Sequence, residues 1–272
     1  MFTLLLSTLL ISSTPNWIEY QQTVQAPSTL EEEYELFDTF TELQTQKMRP
    51  FIEGIDRDAD CLPYQNNQIS LSNGQPLSAS LIKVYDLSFI ASQAPTSKSM
   101  PFFWQMVWEK EAEQIVMLCE PFELGKQVCH PYWPSFDNPY NFNGLQVSLL
   151  SNEFPLENLQ VRKFLLTYEG EERIATHYWV HDWKDQNIIS LESTKNVVDI
   201  LIAKRKSNAP IIIHCHAGVG RTGTLITAYT IVKYGYQNLF DLVAQLRTQR
   251  PYMIGTYCQY EFCHKFNLQY GR

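Results

Sequence analysis

With 272 residues, 44% of them apolar and 18% charged, the chain is long enough to bury one large hydrophobic core. A formal charge of −8 offers no broad basic surface and argues against a nucleic-acid partner. No apolar run approaches the ~20 residues that cross a membrane. The six cysteines, Cys61, Cys119, Cys129, Cys215, Cys258 and Cys263, form no Cys-x-x-Cys pair that would suggest a redox or metal motif.

Phe2 to Ile11 is an apolar run of ten residues without a preceding Lys or Arg and without a small-x-small site after it. Residues 1–27 are therefore expected to be an N-terminal segment, packing or flexible, with a targeting role as the alternative. One domain is expected over 28–272. Ser28-Thr29-Leu30-Glu31 has the form of a capping box opening a helix to about Met48. Leu30, Tyr34, Leu36, Phe37, Phe40 and Leu43 give it an apolar face, and Glu31, Glu35, Asp38 and Glu42 a solvated one. Strand-like runs follow at Ile69 to Leu71, Ala79 to Val84 and Phe89 to Ala91. Ser99-Met100-Pro101 has the form of a cap with proline in the first turn, starting a helix to about Ala112. Ile115 to Leu118, Gln146 to Leu150, Leu159 to Thr167 and Arg173 to Trp179 are expected strands, with a turn at Glu169-Gly170. Helices are expected over Thr194 to Lys206, Arg221 to Lys233, Leu239 to Gln249 and Thr256 to Asn267. This mixture predicts an α/β molecule with helices on both faces of a twisted sheet. Cys258 and Cys263 near His264 fall inside the last helix and are taken as helix residues rather than a metal site.

The most informative stretch joins the strand-like run Ile211 to Ile213 to the helix after it: His214-Cys215-His216-Ala217-Gly218-Val219-Gly220-Arg221-Thr222-Gly223-Thr224. A glycine-bearing loop at a helix N-terminus can turn its backbone N–H groups inward and hold an anion. Cys215 at the start of the loop is a candidate nucleophile. Arg221 supplies a planar fork for two phosphoryl oxygens. Thr222 is spaced to donate a hydrogen bond to the sulfur, which helps the sulfur leave later.

This loop resembles the His-Cys-x-x-Gly-x-Gly-Arg-Ser/Thr-Gly signature of the cysteine-dependent protein tyrosine phosphatases, and its flanks are similar to the longer branch rather than the short dual-specificity enzymes. The resemblance runs from about Phe51 to about Phe266. Phe89-Ile90-Ala91-Ser92-Gln93-Ala94-Pro95, Phe103-Trp104-Gln105-Met106-Val107-Trp108, Tyr132-Trp133-Pro134 and Leu246-Arg247-Thr248-Gln249-Arg250 match its ordered motifs. It implies a highly twisted mixed sheet with the cysteine loop at its carboxyl edge. It also implies hydrolysis of phosphotyrosine in proteins through a phosphocysteine, with no cofactor and no metal. The loop from His216 through Ala217, Gly218, Val219 and Gly220 to Arg221 would bind the phosphoryl group, with His214 in a supporting place. His177 to Asp185 resembles the mobile acid loop, whose core is Trp-Pro-Asp. By that match Asp185 is the general acid and Trp183 the hinge, while Asp182 stands before the tryptophan, where the family has no acid. Glu123 in Phe122-Glu123-Leu124-Gly125 matches the glutamate that orients the signature arginine, and Asp60 matches the aspartate that holds a substrate's peptide backbone.

Three positions depart from the family. Lys184 replaces the proline of the acid loop, which predicts altered loop populations. Gly255 stands where the water-positioning glutamine is expected; Gln259 matches the second glutamine and is a candidate substitute. Asp58 stands where the family has a tyrosine that stacks on the substrate ring, and a carboxylate cannot stack. The cluster from Asp56 to Asp60 predicts discrimination against acidic peptides. Two alternatives therefore stay open: a phosphate-binding module with weak or no turnover, and a phosphatase of broader specificity toward phosphoserine/threonine or phosphoinositide. A nucleophilic thiol favours a reducing, cytoplasmic setting, with export into the cytosol of another cell as the alternative. A monomer is expected.

Overall fold

The computed structural model describes residues 15–272; the Phe2 to Ile11 run lies outside the described residues. Two N-terminal helices pack on the body. Helix α1 (Trp17–Gln21) is opened by a capping box between Asn16 and Glu19. Trp17 sets it against Phe37, Phe40 and Phe240 at ring separations of 5.6, 5.0 and 5.4 Å. Helix α2 (Leu30–Gln44) is capped by Thr29 rather than Ser28. Thr29 Oγ1 accepts from Glu32 N–H, and the Glu32 carboxylate reaches back to both the N–H and the hydroxyl of Ser28. The expected capping box does not form, because the Glu32 carboxylate takes its hydrogen bonds from Ser28, the residue before the cap, and not from the N–H of Thr29. The helix stops at Gln44 and tightens into a 3₁₀ turn over Thr45–Lys47. Asp38, expected on the solvated face, instead pairs with the buried Arg247 at 2.6 Å.

Strands β1 (Ala79–Val84) and β2 (Leu87–Ser92) form a hairpin, followed by α3 (Met100–Glu109) and β3 (Gln114–Met117). Ile69 to Leu71 forms no strand. Ile69 and Leu71 are buried there, and only Gln68 bridges to Ser80. The turn before α3 is capped from Thr96, whose hydroxyl accepts from Ser99 N–H, while Ser99 Oγ accepts from Thr96 N–H. Ser99 occupies the expected cap position with proline in the first turn, but it has helical dihedrals and its side chain makes no bond into the helix. A small hairpin, β4 (Phe122–Glu123) and β5 (Lys126–Gln127), is followed by β6 (Tyr140–Phe142), β7 (Leu145–Leu156), β8 (Leu159–Tyr168) and β9 (Glu171–Val180). Helix α4 (Leu191–Lys204), capped by Ser190 and so starting before Thr194, crosses to β10 (Ile211–His214). Helices α5 (Gly220–Tyr234), α6 (Leu239–Gln249) and α7 (Tyr257–Tyr270) complete the described chain.

The large sheet has the order β1-β2-β10-β3-β9-β8-β7-β6. Its centre, β2 to β9, is parallel, and both flanks are antiparallel. Alternation along β10 fixes the two-sided core: Ile211 and Ile213 face the layer of α2 and α4 to α7, and Ile212 faces α3 with Tyr132 and Phe164. All three are essentially solvent-free, each contributing roughly 1.5–3 kcal/mol by burial. That locks β10 in register between β2 and β3, with His214 opposite Ser92 and Met117. The residue after His214 leaves the sheet at its carboxyl edge, where open α/β sheets hold their ligands.

Candidate active site

The loop from Cys215 to Arg221 lies between the end of β10 and the start of α5. Its carbonyls are anchored outward one after another. Cys215 O faces the His214 ring at 3.2 Å, and His216 O accepts from Ala94 N–H at 2.9 Å. Ala217 O and Gly218 O accept from the Arg250 guanidinium at 3.1 and 2.9 Å. Val219 O accepts from Gly223 N–H at 2.8 Å and Ile254 N–H at 3.2 Å. None of the described peptide bonds is cis, and in a trans peptide the N–H points opposite to the C=O. The N–H groups of His216, Ala217, Gly218, Val219 and Gly220 are thereby turned away from these anchors. One of them, Gly218 N–H, reaches Cys215 Sγ at 3.3 Å. Gly218 has φ of +73°, and a Cβ there would stand 2.1 Å from Ser92 O, so only glycine fits.

Cys215 is 3% exposed, and its sulfur also accepts from Thr222 Oγ1 at 3.4 Å. Among the other buried thiols, burial pushes Cys61 up to about 12, and pushes Cys119 and Cys263 well above the ordinary thiol value. Arg221 is fully buried and held from three sides. Nη1 donates to Glu123 Oε1 at 2.6 Å and to Trp183 O at 2.7 Å; Nη2 donates to Asp185 Oδ1 at 2.9 Å and Glu123 Oε2 at 3.3 Å. Burial alone would lower its pKa, but Cys215 and Glu123 outweigh that and hold the guanidinium above the ordinary arginine value. Its Nε–H is buried and has no partner among the described residues. A buried donor left unsatisfied costs about 1–3 kcal/mol, which an anionic ligand in the loop would recover.

Glu123 is aimed by the β4–β5 hairpin, whose two-residue turn puts Leu124 and Gly125 at positive φ, 49° and 76°. The acid loop bends through Asp182 and Gln186, also at positive φ. Trp183 is 2% exposed and closes the loop on itself by donating from Nε1 to Asn187 O at 2.9 Å. Asp185 is half exposed and lies on Arg221, whereas Asp182 is exposed and has no side-chain hydrogen bond or ion pair among the described residues. The far side of the acid loop meets the start of α7: Thr256 Oγ1 and Cys258 Sγ donate to Gln186 O, and Gln259 Nε2 donates to Asn187 O at 3.3 Å.

Gln259 is buried, with Oε1 accepting from Gly255 N–H at 3.0 Å, and its amide lies against Gly220. Gly255 carries no side chain beside the loop; a Cβ there would meet Gly220 Cα at 3.3 Å, and its φ is not in the left-handed region. Asp60 is exposed, its N–H donating to the Asp58 carboxylate at 2.9 Å. The expected acidic cluster is smaller than its sequence, because Asp56 is buried and paired with Arg49 at 2.5 and 2.7 Å. A buried, doubly paired carboxylate cannot act on a peptide.

Two contributors were not singled out from the sequence. Arg250 is solvent-free and spans the loop's Ala217 and Gly218 carbonyls, Cys61 O and Ser80 Oγ; burial lowers its pKa to about 10. Tyr132 is buried with its hydroxyl between His214 Nε2 and His177 Nε2, at 2.7 and 2.8 Å. Both stand in quoted motifs, but nothing in a sequence shows that a charge or hydroxyl turns inward. Cys119, Cys129 and His214 place their donor atoms within 4.8 Å of one another. Both His214 nitrogens are already hydrogen-bonded, which leaves the cluster two thiols and no free imidazole lone pair.

Residues 54–269 match the family model described as protein-tyrosine phosphatase. Mouse receptor-type tyrosine-protein phosphatase alpha is 34% identical over 264 residues, 89% of this chain and 31% of the relative. Human tyrosine-protein phosphatase non-receptor type 12 is 30% identical over 252 residues, 83% of this chain and 32% of the relative. The chain thus spans about a third of the length of these curated relatives. The crystal structure of the catalytic domain of human protein tyrosine phosphatase non-receptor type 18 superposes with a TM-score of 0.81 at 24% identity, over 88% of this chain and 95% of that one. The chain belongs to the protein-tyrosine phosphatase family.

Proposed function

We propose that the chain hydrolyses phosphotyrosine in proteins through a phosphocysteine intermediate. The observation that carries this is the sulfur of Cys215 inside a loop of outward-anchored carbonyls, beside a buried Arg221 whose Nε–H has no partner among the described residues. In the first step Cys215 Sγ attacks phosphorus as the P–O bond to tyrosine breaks, and Asp185 gives its proton to the departing oxygen. In the second step water attacks, Asp185 takes its proton, and the S–P bond breaks with Thr222 Oγ1 donating to the leaving sulfur. The loop amides and Arg221 hold the equatorial oxygens throughout, where charge builds. Glu123 and Trp183 O fix the guanidinium, and substrate oxygens take over the Arg221 donor that Asp185 occupies here, freeing the acid.

Asp60 would hold the substrate backbone, and His216 through Gly220 would line the phosphoryl site. The phosphatase non-receptor type 18 has been solved in complex with phosphopeptides; phosphotyrosyl proteins are the proposed substrates here. Six unpaired cysteines support a reducing, cytoplasmic setting. No helix among the described residues is long and apolar enough to cross a membrane.

Rapid quench with radiolabelled phosphopeptide tests the mechanism. The wild type should yield an acid-stable phosphoenzyme that is absent in Cys215→Ser, while Cys215→Ser still binds the peptide. Turnover in a clean Cys215→Ser preparation would refute the assignment. A broader specificity is favoured by Asp58, a carboxylate that accepts from Asp60 N–H and stands where the resemblance expects a stacking ring. Comparable kcat/KM on phosphoserine peptides or phosphoinositide would establish it. Absence of turnover on p-nitrophenyl phosphate would leave a phosphate-binding module.

A further inference from the structure

Behind the nucleophile loop runs a buried string of hydrogen bonds that the proposed chemistry does not use directly. Arg162 Nη1 lies 3.4 Å from His177 Nδ1, and His177 Nε2 lies 2.8 Å from Tyr132 Oη. Tyr132 Oη lies 2.7 Å from His214 Nε2, and His214 Nδ1 lies 3.2 Å from Cys215 O. His177, Tyr132 and His214 are solvent-free, and Arg162 is 6% exposed. Arg162 has no carboxylate partner among the described residues. It is held by Gln160 Oε1 at 2.8 Å and stacks over Trp133 and Trp179, with the guanidinium carbon 4.4 and 5.1 Å from the ring centroids.

The two ends of this string set its direction. A guanidinium can only donate, so His177 Nδ1 must be the acceptor and His177 carries its proton on Nε2. A carbonyl can only accept, so His214 must carry its proton on Nδ1 and present a lone pair at Nε2. The tyrosine hydroxyl fits between them in one way, accepting from His177 and donating to His214. Both imidazoles are neutral: burial holds His214 at about 3 and His177 well below the ordinary value. Every polar atom along the line then has a partner of the right kind.

We propose that Arg162 and His177 are positioning residues for the nucleophile, acting through Tyr132 and His214 to keep a donor on the Cys215 carbonyl. That carbonyl is the first outward anchor of the loop, and its peptide partner, His216 N–H, is turned the opposite way. If His214 took the other tautomer, a lone pair would face the carbonyl and repel it. The Cys215–His216 peptide would then be free to rotate and remove an amide from the phosphoryl site. The string thus links the face of β8 and β9 to the geometry around the sulfur.

The proposal rests on the phosphatase role of Cys215, but its test does not need turnover. Nitrogen-15 NMR of histidine-labelled protein reads each ring's tautomer, and iodoacetate reads the reactivity of Cys215. The wild type should show His214 protonated at Nδ1 and His177 at Nε2, unchanged from about pH 5 to pH 8. Tyr132→Phe keeps the ring and deletes the donor. It should mix the His214 tautomers and slow alkylation roughly two- to ten-fold, the worth of one hydrogen bond. His177→Phe should act in the same direction, and His177→Gln, whose amide can accept from Arg162 and donate to Tyr132, should restore most of the rate. A wild-type His214 protonated at Nε2 would overturn the proposal even if every variant failed to fold. So would unchanged tautomer and alkylation in both phenylalanine variants. A wild type without phosphopeptide turnover that still shows these tautomers and rate changes would sink the phosphatase assignment alone.

Discussion

Acid should destabilise this protein more than its carboxylates require, because two imidazoles in its centre cannot take up a proton. Burial holds His214 at about 3, and burial with the Arg162 charge holds His177 well below the ordinary value. In the unfolded chain both protonate as the pH falls through about 6.5. The unfolded state therefore binds more protons than the folded state below that value, and stability falls with pH until the folded groups themselves titrate. For His214 the window runs from about 6.5 down to about 3. Linkage gives a loss of about 2 kcal/mol between pH 7 and pH 5 from this residue, and His177 adds to it in the same direction. Ordinary carboxylates are almost fully ionised over that interval and contribute little. Urea unfolding at the two pH values, with the slope m held common, measures the change. His214→Gln should be less stable than wild type at pH 7, yet its loss on going to pH 5 should be smaller by about 2 kcal/mol. An undiminished loss in that variant would refute the claim that His214 is buried neutral, and would weaken the hydrogen-bond direction derived from it.

Three further outcomes follow from the site. Arg221→Lys should lower kcat/KM by roughly a hundred-fold or more, because an ammonium cannot meet Glu123, Trp183 O and two substrate oxygens together; retained activity within a few-fold in a p-nitrophenyl phosphate assay would contradict the cradle. Asp185→Ala should lower kcat by about two to four powers of ten on phosphotyrosine and less on p-nitrophenyl phosphate, whose leaving group needs less protonation; equal losses would exclude Asp185 as the acid, and Asp182→Ala should leave kcat near wild type. If phosphocysteine hydrolysis limits the rate, a stopped-flow burst should be seen, and Gly255→Gln should raise kcat and shrink it, since the backbone there accepts a side chain once Gly220 gives by a few tenths of an ångström; no burst, with full activity in Gln259→Ala, would show that water is placed by another group.

What could be read from the chain was set by how far apart the causes lie. Ile211 to Ile213 followed by the glycine loop reads as strand, turn and helix because each signal is local, and the structure puts Cys215, Thr222 and Arg221 together within that stretch. The start of α2 is displaced by one residue because two adjacent hydroxyls can serve as the cap, and Thr29 rather than Ser28 accepts from Glu32 N–H. Ile69 to Leu71 has the composition of a strand but forms only the one bridge at Gln68, so burial alone accounts for it. Helix α1 went unnoticed because its stability comes from Trp17 lying on Phe37 and Phe240, residues far along the chain. The same limit applies to the site. The motif match points to Glu123 and Asp185, and both pair with Arg221, whereas it singles out neither Arg250 nor Arg162 nor His177, since each meets a partner between 15 and 189 positions away. A buried arginine and a surface arginine are the same letter until the fold removes the water. The residues that deliver the chemistry are legible near the signature, and those that hold them in place become visible only when burial forces every donor to name its acceptor.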